Sequence, residues 1–415
     1  MPRLESKFPG IPPNSAECPK IIAIMSANTR DESNNSEFTF PSFEFDSPLA
    51  AAIVDLERLR GEIGVGTTAA QVFHELHGLF QFLSSMISAR IEGNRTTILD
   101  AIAGAQSAET EPERVGETIR EILNLNEVME FIDETDRDRP ITHAFVRELH
   151  RRAVDGLIRE GDPRPGAYRN RDVAIQGATH RPPLAQSVQS EMDRFLEFVN
   201  RPVQTHQQLL HVAIAHHRFL WIHPFQNGNG RVSRLLSYAM LGRHGFVSPI
   251  GLRAVNPTAV FGVSRTEYYD ALAASDDLGD AGTIAWCEFF ISGLLTDLGR
   301  LHRLQNAEFV RAELIAPALD RFVRSGGISA RERDVLLFTF DQELVKAGQL
   351  EHLLPGSPSI RSQALRPLLD RGLLKPMHVG GRSYFLSFGP NELTPFLVRE
   401  LDRAGFLPPL LKDPE

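Results

Sequence analysis

The stretch His223-Pro-Phe-Gln-Asn-Gly-Asn-Gly-Arg231 decides how the rest of this chain folds. Apolar residues recur at intervals of three and four before it, from Leu209 to Ile222, and again after it, from Leu235 to Met240. This pattern predicts two helices packed on one core. The loop between them contains two glycines, which let backbone N–H groups face a ligand without a Cβ in the way.

The start of the second helix is a predicted anion site. Its first amides have no intrahelical acceptors, and the helix dipole places positive charge there. Arg231 and Arg234 lie three residues apart, so they share a helix face and could clamp a polyphosphate. His223 precedes Pro224, which biases it toward an extended conformation. A neutral imidazole beside phosphate groups suits a general base for group transfer.

Together these residues resemble the signature of the Fic family, His-Pro-Phe-x-Asp/Glu-Gly-Asn-Gly-Arg, with a second arginine three residues later. The resemblance implies transfer of AMP from ATP to a Ser, Thr or Tyr hydroxyl of a target protein or of the chain itself. His223 would accept the hydroxyl proton. The phosphate ligands implied by the resemblance are Gly228, Asn229, Gly230, Arg231 and Arg234.

One position departs from the family pattern. Asn227 stands where the family has a carboxylate that binds the magnesium ion of the nucleotide. An amide oxygen can coordinate Mg²⁺ or Mn²⁺ but brings no charge, so we expect weaker metal binding at Asn227. The chain could work with that weaker binding, use a different nucleotide donor, or have lost some activity.

A second resemblance lies more than a hundred residues upstream. The apolar pattern of residues 71–90 predicts a helix that ends in Ser88-Ala-Arg-Ile-Glu92-Gly93-Asn94. Taken alone, this is an amphipathic helix closed by a glycine. It also resembles the Fic inhibitory motif, Ser/Thr-x-x-x-Glu-Gly/Asn. The resemblance implies that Ser88, Glu92 and Gly93 form an inhibitory element in which Glu92 reaches Arg234 and takes the place of the γ-phosphate.

Between these motifs, residues 168–175 lose the helical period before Pro182 and Pro183, which favours a small β-hairpin. In the Fic family a hairpin here is a flap that docks the target segment by strand pairing. The resemblance assigns that contact to Val173 and Ile175. The alternative is a surface hairpin without a role.

The C-terminal region has a different pattern of helix and turn signals from the rest of the chain. Ser329 and Glu332 predict a capping box, two further helices follow, and Gly380-Gly381 predicts a two-residue hairpin turn. Three helices and a hairpin resemble the winged helix found on some Fic proteins. Arg361, Gln363 and Arg366 would lie on or near its recognition helix, with Pro367 expected to kink it. DNA binding and protein binding both remain open.

Composition limits the class of protein. A net charge of −9 over 415 residues argues against nonspecific coating of nucleic acid. The two cysteines lack metal-ligand spacing, which excludes a disulfide framework and suggests a reducing compartment. No apolar run approaches the roughly 20 residues that span a bilayer. We therefore expect a cytoplasmic protein without a membrane partner.

The sequence thus predicts a mainly α fold: a Fic-type helical bundle with a small β-hairpin flap and a C-terminal winged helix. The expected function is a protein adenylyltransferase restrained by Glu92, and deAMPylation by the same site is left open. A weakly active scaffold that binds DNA or a partner is the alternative, as is a transferase with another nucleotide donor; a homodimer also stays open.

The predicted divisions are a disordered segment 1–46, an inhibitory helical region 47–135, a Fic core 136–304, a linker helix 305–328, a winged helix 329–388 and a tail 389–415.

Overall fold

The computed structural model describes residues 38–62, 66–175, 177–246, 261–262 and 264–412. Most of the segment predicted to be disordered, 1–46, therefore lies outside the described residues. None of the helices in the described part of the chain is long and apolar enough to cross a membrane.

The fold is mainly helical, as predicted. The longer helices within the described ranges are α1 Pro48–Glu62, α2 Ala70–Ile91, α3 Ile98–Thr110, α4 Glu117–Glu134, α5 His143–Ala153, α6 Val188–Asn200, α7 Gln208–Ile222, α8 Asn229–Arg243, α9 Arg265–Ala273, α10 Asp280–His302, α11 Ala316–Arg324, α12 Ala330–Gln342, α13 Pro358–Asp370 and α14 Thr394–Arg403. Three short strands, β1 Val345–Lys346, β2 Leu374–Pro376 and β3 Ser383–Leu386, form an antiparallel sheet in the order β1-β3-β2.

The two helices that flank the quoted stretch, α7 and α8, form the centre of the core. Nearly every residue of α7 is buried, because α6, α8 and α10 all pack against it. The indole N–H of Trp286 on α10 donates to the carbonyl of Ala213 at 2.6 Å. Phe225, in the loop between α7 and α8, is completely buried and anchors that loop to the core.

Helix α2 is enclosed from several sides. Its predicted apolar face is buried, and the C-terminal part of the chain covers more of it. The carboxylate of Glu75 accepts the N–H of Phe388 at 2.9 Å, and Arg90 donates to the carbonyl of Leu410 at 2.8 Å. The end of α2, where the inhibitory motif lies, is therefore fixed by residues more than 300 positions away.

The prediction of a β-hairpin at the flap position is wrong, because the part of this segment that the structure describes has no paired strands. No strand is assigned to the described residues of segment 168–184. The guanidinium of Arg169 explains this, because it donates to the carbonyls of Arg171, Pro183 and His223. One buried arginine therefore binds carbonyl groups that would otherwise accept hydrogen bonds from a neighbouring strand. Val173 and Ile175 thus lie on an irregular loop.

The C-terminal unit contains the predicted helices and hairpin strands, although its assignment as a winged helix remains a prediction. Two details differ from expectation. The strands β2 and β3 are joined by the loop 377–382, not by a two-residue turn at Gly380-Gly381. Helix α13 continues through Pro367 to Asp370.

Arg361 was predicted to lie on or near the recognition helix. It does lie on α13, but its side chain does not face outward, where it could contact DNA. It is buried, donates to the carbonyl of Gly356 at 2.7 Å and lies 3.7 Å from Glu351. Its role is to hold the start of α13 against the preceding turn. Arg366, on the same helix, has a side chain that is 80% exposed.

The predicted linker helix, 305–328, is present as a continuous helical run from Ala307 to Arg324 whose middle is π-helical. A short turn of helix at Ala307–Phe309 is followed by a π-helical segment, Val310–Ile315, and then by α11. Pro317 lies in the first turn of α11 and has no N–H to donate, which disrupts the regular pattern before it.

Candidate active site

His223 ends α7 in an unexpected backbone conformation. Its φ of 51° and ψ of 61° are left-handed, whereas the sequence predicted an extended residue before Pro224. The N–H of His223 still donates to the carbonyl of Phe219 at 3.0 Å, so the residue closes the last turn of α7. The left-handed conformation costs roughly 1–2 kcal/mol for a residue with a Cβ. The conformation redirects the chain sharply from α7 into the signature loop.

The imidazole of His223 is neutral and oriented. Its Nδ1 lies 3.3 Å from the carbonyl oxygen of Leu220, which can only accept, so Nδ1 carries the proton. Nε2 is then the acceptor. Burial lowers the pKa of His223 to about 4, against the hydrogen bond to Leu220, and the nearby charge of Arg169 adds to the lowering. At neutral pH this ring can accept a proton, as a general base must.

The signature loop is closed by its own side chains. Asn229 is buried, and its side chain accepts the N–H of Phe225 and donates to the carbonyl of Phe225, both at 2.9 Å. Gly228 has a left-handed φ of 78°. Of the predicted phosphate ligands, Asn229 can therefore offer its backbone amide at the start of α8, while its side chain is committed to the loop.

Two residues that the sequence did not single out support this loop. Oδ2 of Asp162 accepts the N–H groups of Gln226 and Asn227 at 3.1 and 3.0 Å. The ring of His150 stacks on Phe225 with 3.7 Å between centroids and contacts the carbonyl of Asn227 at 3.1 Å. Their sequence contexts are an ordinary turn and an ordinary helix, so no local signal could have identified them.

The side chain of Asn227 also helps to hold the signature loop together. Its Nδ2 donates to the carbonyl of Gly161 at 3.1 Å, and its Oδ1 accepts the N–H of Gly228 at 2.7 Å. Both ends of the amide are engaged by backbone groups. The residues present therefore do not fit a magnesium ion bound through Asn227.

Arg234 is held by the end of α2, as the inhibitory resemblance implied. Its Nη2 lies 2.6 Å from Oε1 of Glu92, its Nε donates to Oγ of Ser88 at 2.8 Å, and Nη2 also reaches the Ser88 carbonyl at 3.1 Å. Burial alone would raise the pKa of Glu92, but the charges of Arg234 and Arg231 outweigh it and lower that pKa. Glu92 is therefore a carboxylate at neutral pH.

Two glycines make the close approach of Glu92 feasible. A Cβ on Gly230 would lie 2.3 Å from Oε1 of Glu92, well inside van der Waals contact. Gly93, with φ of 106°, turns the chain immediately after the carboxylate. The carboxylate of Glu92 thus lies directly on the start of α8, where the sequence predicts phosphate.

Arg231 has a separate partner. Its Nη1 lies 3.0 Å from Oε1 of Glu121 on α4, and its Nη2 donates to the carbonyl of Glu160 at 2.6 Å. Sequence reasoning missed Glu121, because one glutamate on an amphipathic helix carries no distinguishing signal. Both signature arginines are therefore buried and paired with carboxylates.

The loop that contains Val173 and Ile175 is tied to the residue that ends α7. Nε of Arg169 donates to the carbonyl of His223 at 2.8 Å, and the N–H of Arg169 donates to the carbonyl of Pro224 at 2.8 Å. Both apolar side chains are partly exposed. The structure therefore brings this loop to the edge of the signature loop, although without a strand.

Comparisons with known proteins match this region. Residues 140–241 fit the model of the Fic/DOC family. The protein adenylyltransferase Fic of Nematostella vectensis is 29% identical over 194 residues, which cover 45% of this chain and 41% of that protein. Its counterpart in Aedes aegypti is 28% identical over 194 residues, covering 46% of this chain and 36% of that protein. The chain thus spans about two fifths of the length of these curated relatives.

Solved structures share the fold. A Fic family protein from Desulfovibrio desulfuricans superposes with a TM-score of 0.53 at 18% identity, over 84% of this chain and 98% of that one. Fic-1 of C. elegans gives a TM-score of 0.50 at 21% identity, over 61% of this chain and 71% of that one. At these identities the likeness concerns the fold.

Proposed function

This chain carries a Fic/DOC family domain, and from that premise we propose that it transfers the adenylyl group of ATP to a hydroxyl of a protein, itself included. One observation supports this most directly: a neutral, oriented His223 stands at the loop that leads into the positive end of α8, beside two buried arginines. The adenylyltransferase names of the curated relatives agree with it.

The proposed reaction needs a general base and groups that stabilise the negative charge on the phosphates. Nε2 of His223 accepts the proton of the hydroxyl, whose oxygen forms a bond to the α-phosphorus of ATP. The bond from that phosphorus to the bridging oxygen breaks, and pyrophosphate leaves with the electron pair. The first amides of α8 together with Arg231 and Arg234 would stabilise the negative charge on the phosphates.

Magnesium has no step in this proposal. The side chain of Asn227 is engaged by Gly161 and Gly228, and the nearby carboxylate of Asp162 is engaged by backbone N–H groups. The charge on the phosphates is assigned to the arginines and to the amides of α8 instead.

We further propose that Glu92 restrains the enzyme. A γ-phosphate needs the guanidinium that Glu92 already occupies at 2.6 Å, and it would meet the negative charge of that carboxylate. ATP would then bind with its α-phosphate turned away from the attacking hydroxyl. Ser88 supports the restraint by accepting from Nε of Arg234.

Target docking is assigned to the loop at Val173 and Ile175. Their partly exposed apolar side chains lie on a segment anchored to the carbonyl of His223 through Arg169. An extended target peptide placed along this loop would bring its hydroxyl toward the imidazole. DNA binding by α13 has lost its main predicted contact, because Arg361 is buried.

The test is label transfer from ATP labelled at the α-phosphate, with Glu92→Gly as the released enzyme. We expect label on the protein in Glu92→Gly and none in Glu92→Gly combined with His223→Asn. ATP labelled at the γ-phosphate should give no labelled protein. Label from the γ-position alone would mean phosphoryl transfer, and absence of label from either position would contradict the proposed function.

A further inference from the structure

Glu121 contacts a signature arginine and, at the same time, the residue that directly follows the inhibitory motif. Its Oε1 lies 3.0 Å from Nη1 of Arg231, and its Oε2 accepts Nδ2 of Asn94 at 2.9 Å. The side chains of Arg231 and Glu121 are only 1% and 3% exposed, so water does not screen their pairing. One buried carboxylate on α4 thus joins two parts of the site.

Asn94 has a fixed amide orientation. Its Oδ1 accepts the N–H of Thr96 at 2.9 Å, and its Nδ2 also donates to the carbonyl of Thr118 at 2.7 Å. Its backbone N–H donates to the carbonyl of Ala89, so the residue closes the turn that follows α2. Because Asn94 lies two positions after Glu92, whatever holds Asn94 also holds the inhibitory carboxylate.

We propose that Glu121 is a positioning residue that sets Arg231 for the phosphates of ATP and, through Asn94, couples that setting to the inhibitory turn. The inference rests on the proposed function, because the placement of Arg231 matters to turnover only if Arg231 binds phosphate. Each signature arginine then has its own carboxylate, Glu92 for Arg234 and Glu121 for Arg231. The turn 92–94 connects the two pairs.

Opposite effects on binding and turnover follow from this geometry. With glutamine at position 121, Arg231 loses its counter-charge, so a triphosphate meets less negative charge at the site. Arg231 is also held less firmly, so fewer bound ATP molecules have the geometry for transfer. A glutamine that keeps its contact with Arg231 would direct its NH₂ group at the Asn94 donor, which breaks the link to the turn.

The test uses the full chain in the Glu92→Gly background, with kcat and KM for ATP measured by α-phosphate label transfer. We expect Glu121→Gln to lower kcat by about fivefold or more while KM for ATP is unchanged or lower. Glu127→Gln, at an exposed position on the same helix, is the matched control and should change neither. A rise in KM with constant kcat, or no effect of Glu121→Gln, overturns the inference.

Asn94→Ala tests the coupling while leaving the contact between Glu121 and Arg231 in place, and it decides the question if Glu121→Gln does not fold. With Glu92 present, it should raise label transfer by about threefold or more, because the inhibitory turn loses its tie to α4. In the Glu92→Gly background it should have no effect. An equal effect in both backgrounds overturns the coupling, whereas failure of Glu92→Gly itself to transfer label would overturn the proposed function.

Discussion

Nη2 of Arg234 lies 2.6 Å from Oε1 of Glu92, although 142 residues separate them in the sequence. The arginine is 1% exposed and the glutamate 24% exposed, so the pair lies at the edge of the core. Its strength follows from partial burial, because a charge-assisted hydrogen bond is stronger where water competes less. The same position makes it a contact that a single substitution can remove.

We expect Glu92→Gly to raise automodification by about 10- to 100-fold, since a hydrogen bond to a charged group contributes roughly 1.5–3 kcal/mol. Label transfer at saturating ATP is the measurement. Glu92→Gln keeps the size of the side chain without its charge and should give an intermediate rate. Activity of Glu92→Gly no higher than that of the wild type would contradict the restraint.

Ser88→Ala should act in the same direction but less, by about three- to tenfold, because it removes one hydrogen bond to Nε of Arg234 and leaves the ion pair. The same label-transfer assay measures it. A decrease below the wild-type rate would mean that Ser88 supports the active conformation of Arg234, not the restrained one.

In the Glu92→Gly background, replacing His223 by asparagine should lower label transfer by at least about 100-fold, since a general base typically contributes that much. Asparagine tolerates the left-handed conformation that His223 adopts, so the fold should be preserved. The midpoint of thermal unfolding, compared with that of the parent variant, checks this. Transfer at the parental rate would exclude His223 as the base.

Transfer should stay nearly constant from pH 8 down to about pH 5. The pKa of His223 is about 4, and a base with a lowered pKa is active above it and is lost only as the pH falls through it. At pH 5 about nine tenths of such rings are unprotonated, against only a few per cent for an ordinary histidine. A rate that halves near pH 6.5 would show that burial does not lower this pKa.

Asn227→Asp should destabilise the protein by about 1–3 kcal/mol, because it removes the donor to the carbonyl of Gly161 and leaves two oxygens facing each other. Asn227→Ala removes this hydrogen bond and the one that the N–H of Gly228 donates, but it introduces no charge next to the Gly161 carbonyl and should cost less. Chemical denaturation measures both. If Asn227→Asp were as stable as the wild type and lowered the Mg²⁺ concentration for half-maximal transfer, position 227 would be a metal site after all.

The grouping of the candidate site residues could be predicted from the sequence because it depends on local order. The residues from His223 to Arg234 are close in sequence, and the period of the flanking apolar residues determines two packed helices around them. Ser88 and Glu92 were identified only through the resemblance to the Fic inhibitory motif, because their own segment has the pattern of an ordinary amphipathic helix. The resemblance implied that Glu92 reaches Arg234, and the two side chains lie 2.6 Å apart, whereas the hydrogen bond from Arg234 to Ser88 was not expected.

Only the tertiary structure decided what surrounds these motifs. Glu121, Asp162 and His150 reach the site from separate elements, and a lone acidic or imidazole side chain carries no signal of its distant partner. The left-handed turn at His223 and the irregular loop after Arg169 were also mispredicted. Local preferences favoured an extended residue and a hairpin, but backbone hydrogen bonds from α7 and from one buried guanidinium outweighed them. The sequence therefore determined which groups lie together around the loop between α7 and α8, whereas packing over long separations decided how each group is held.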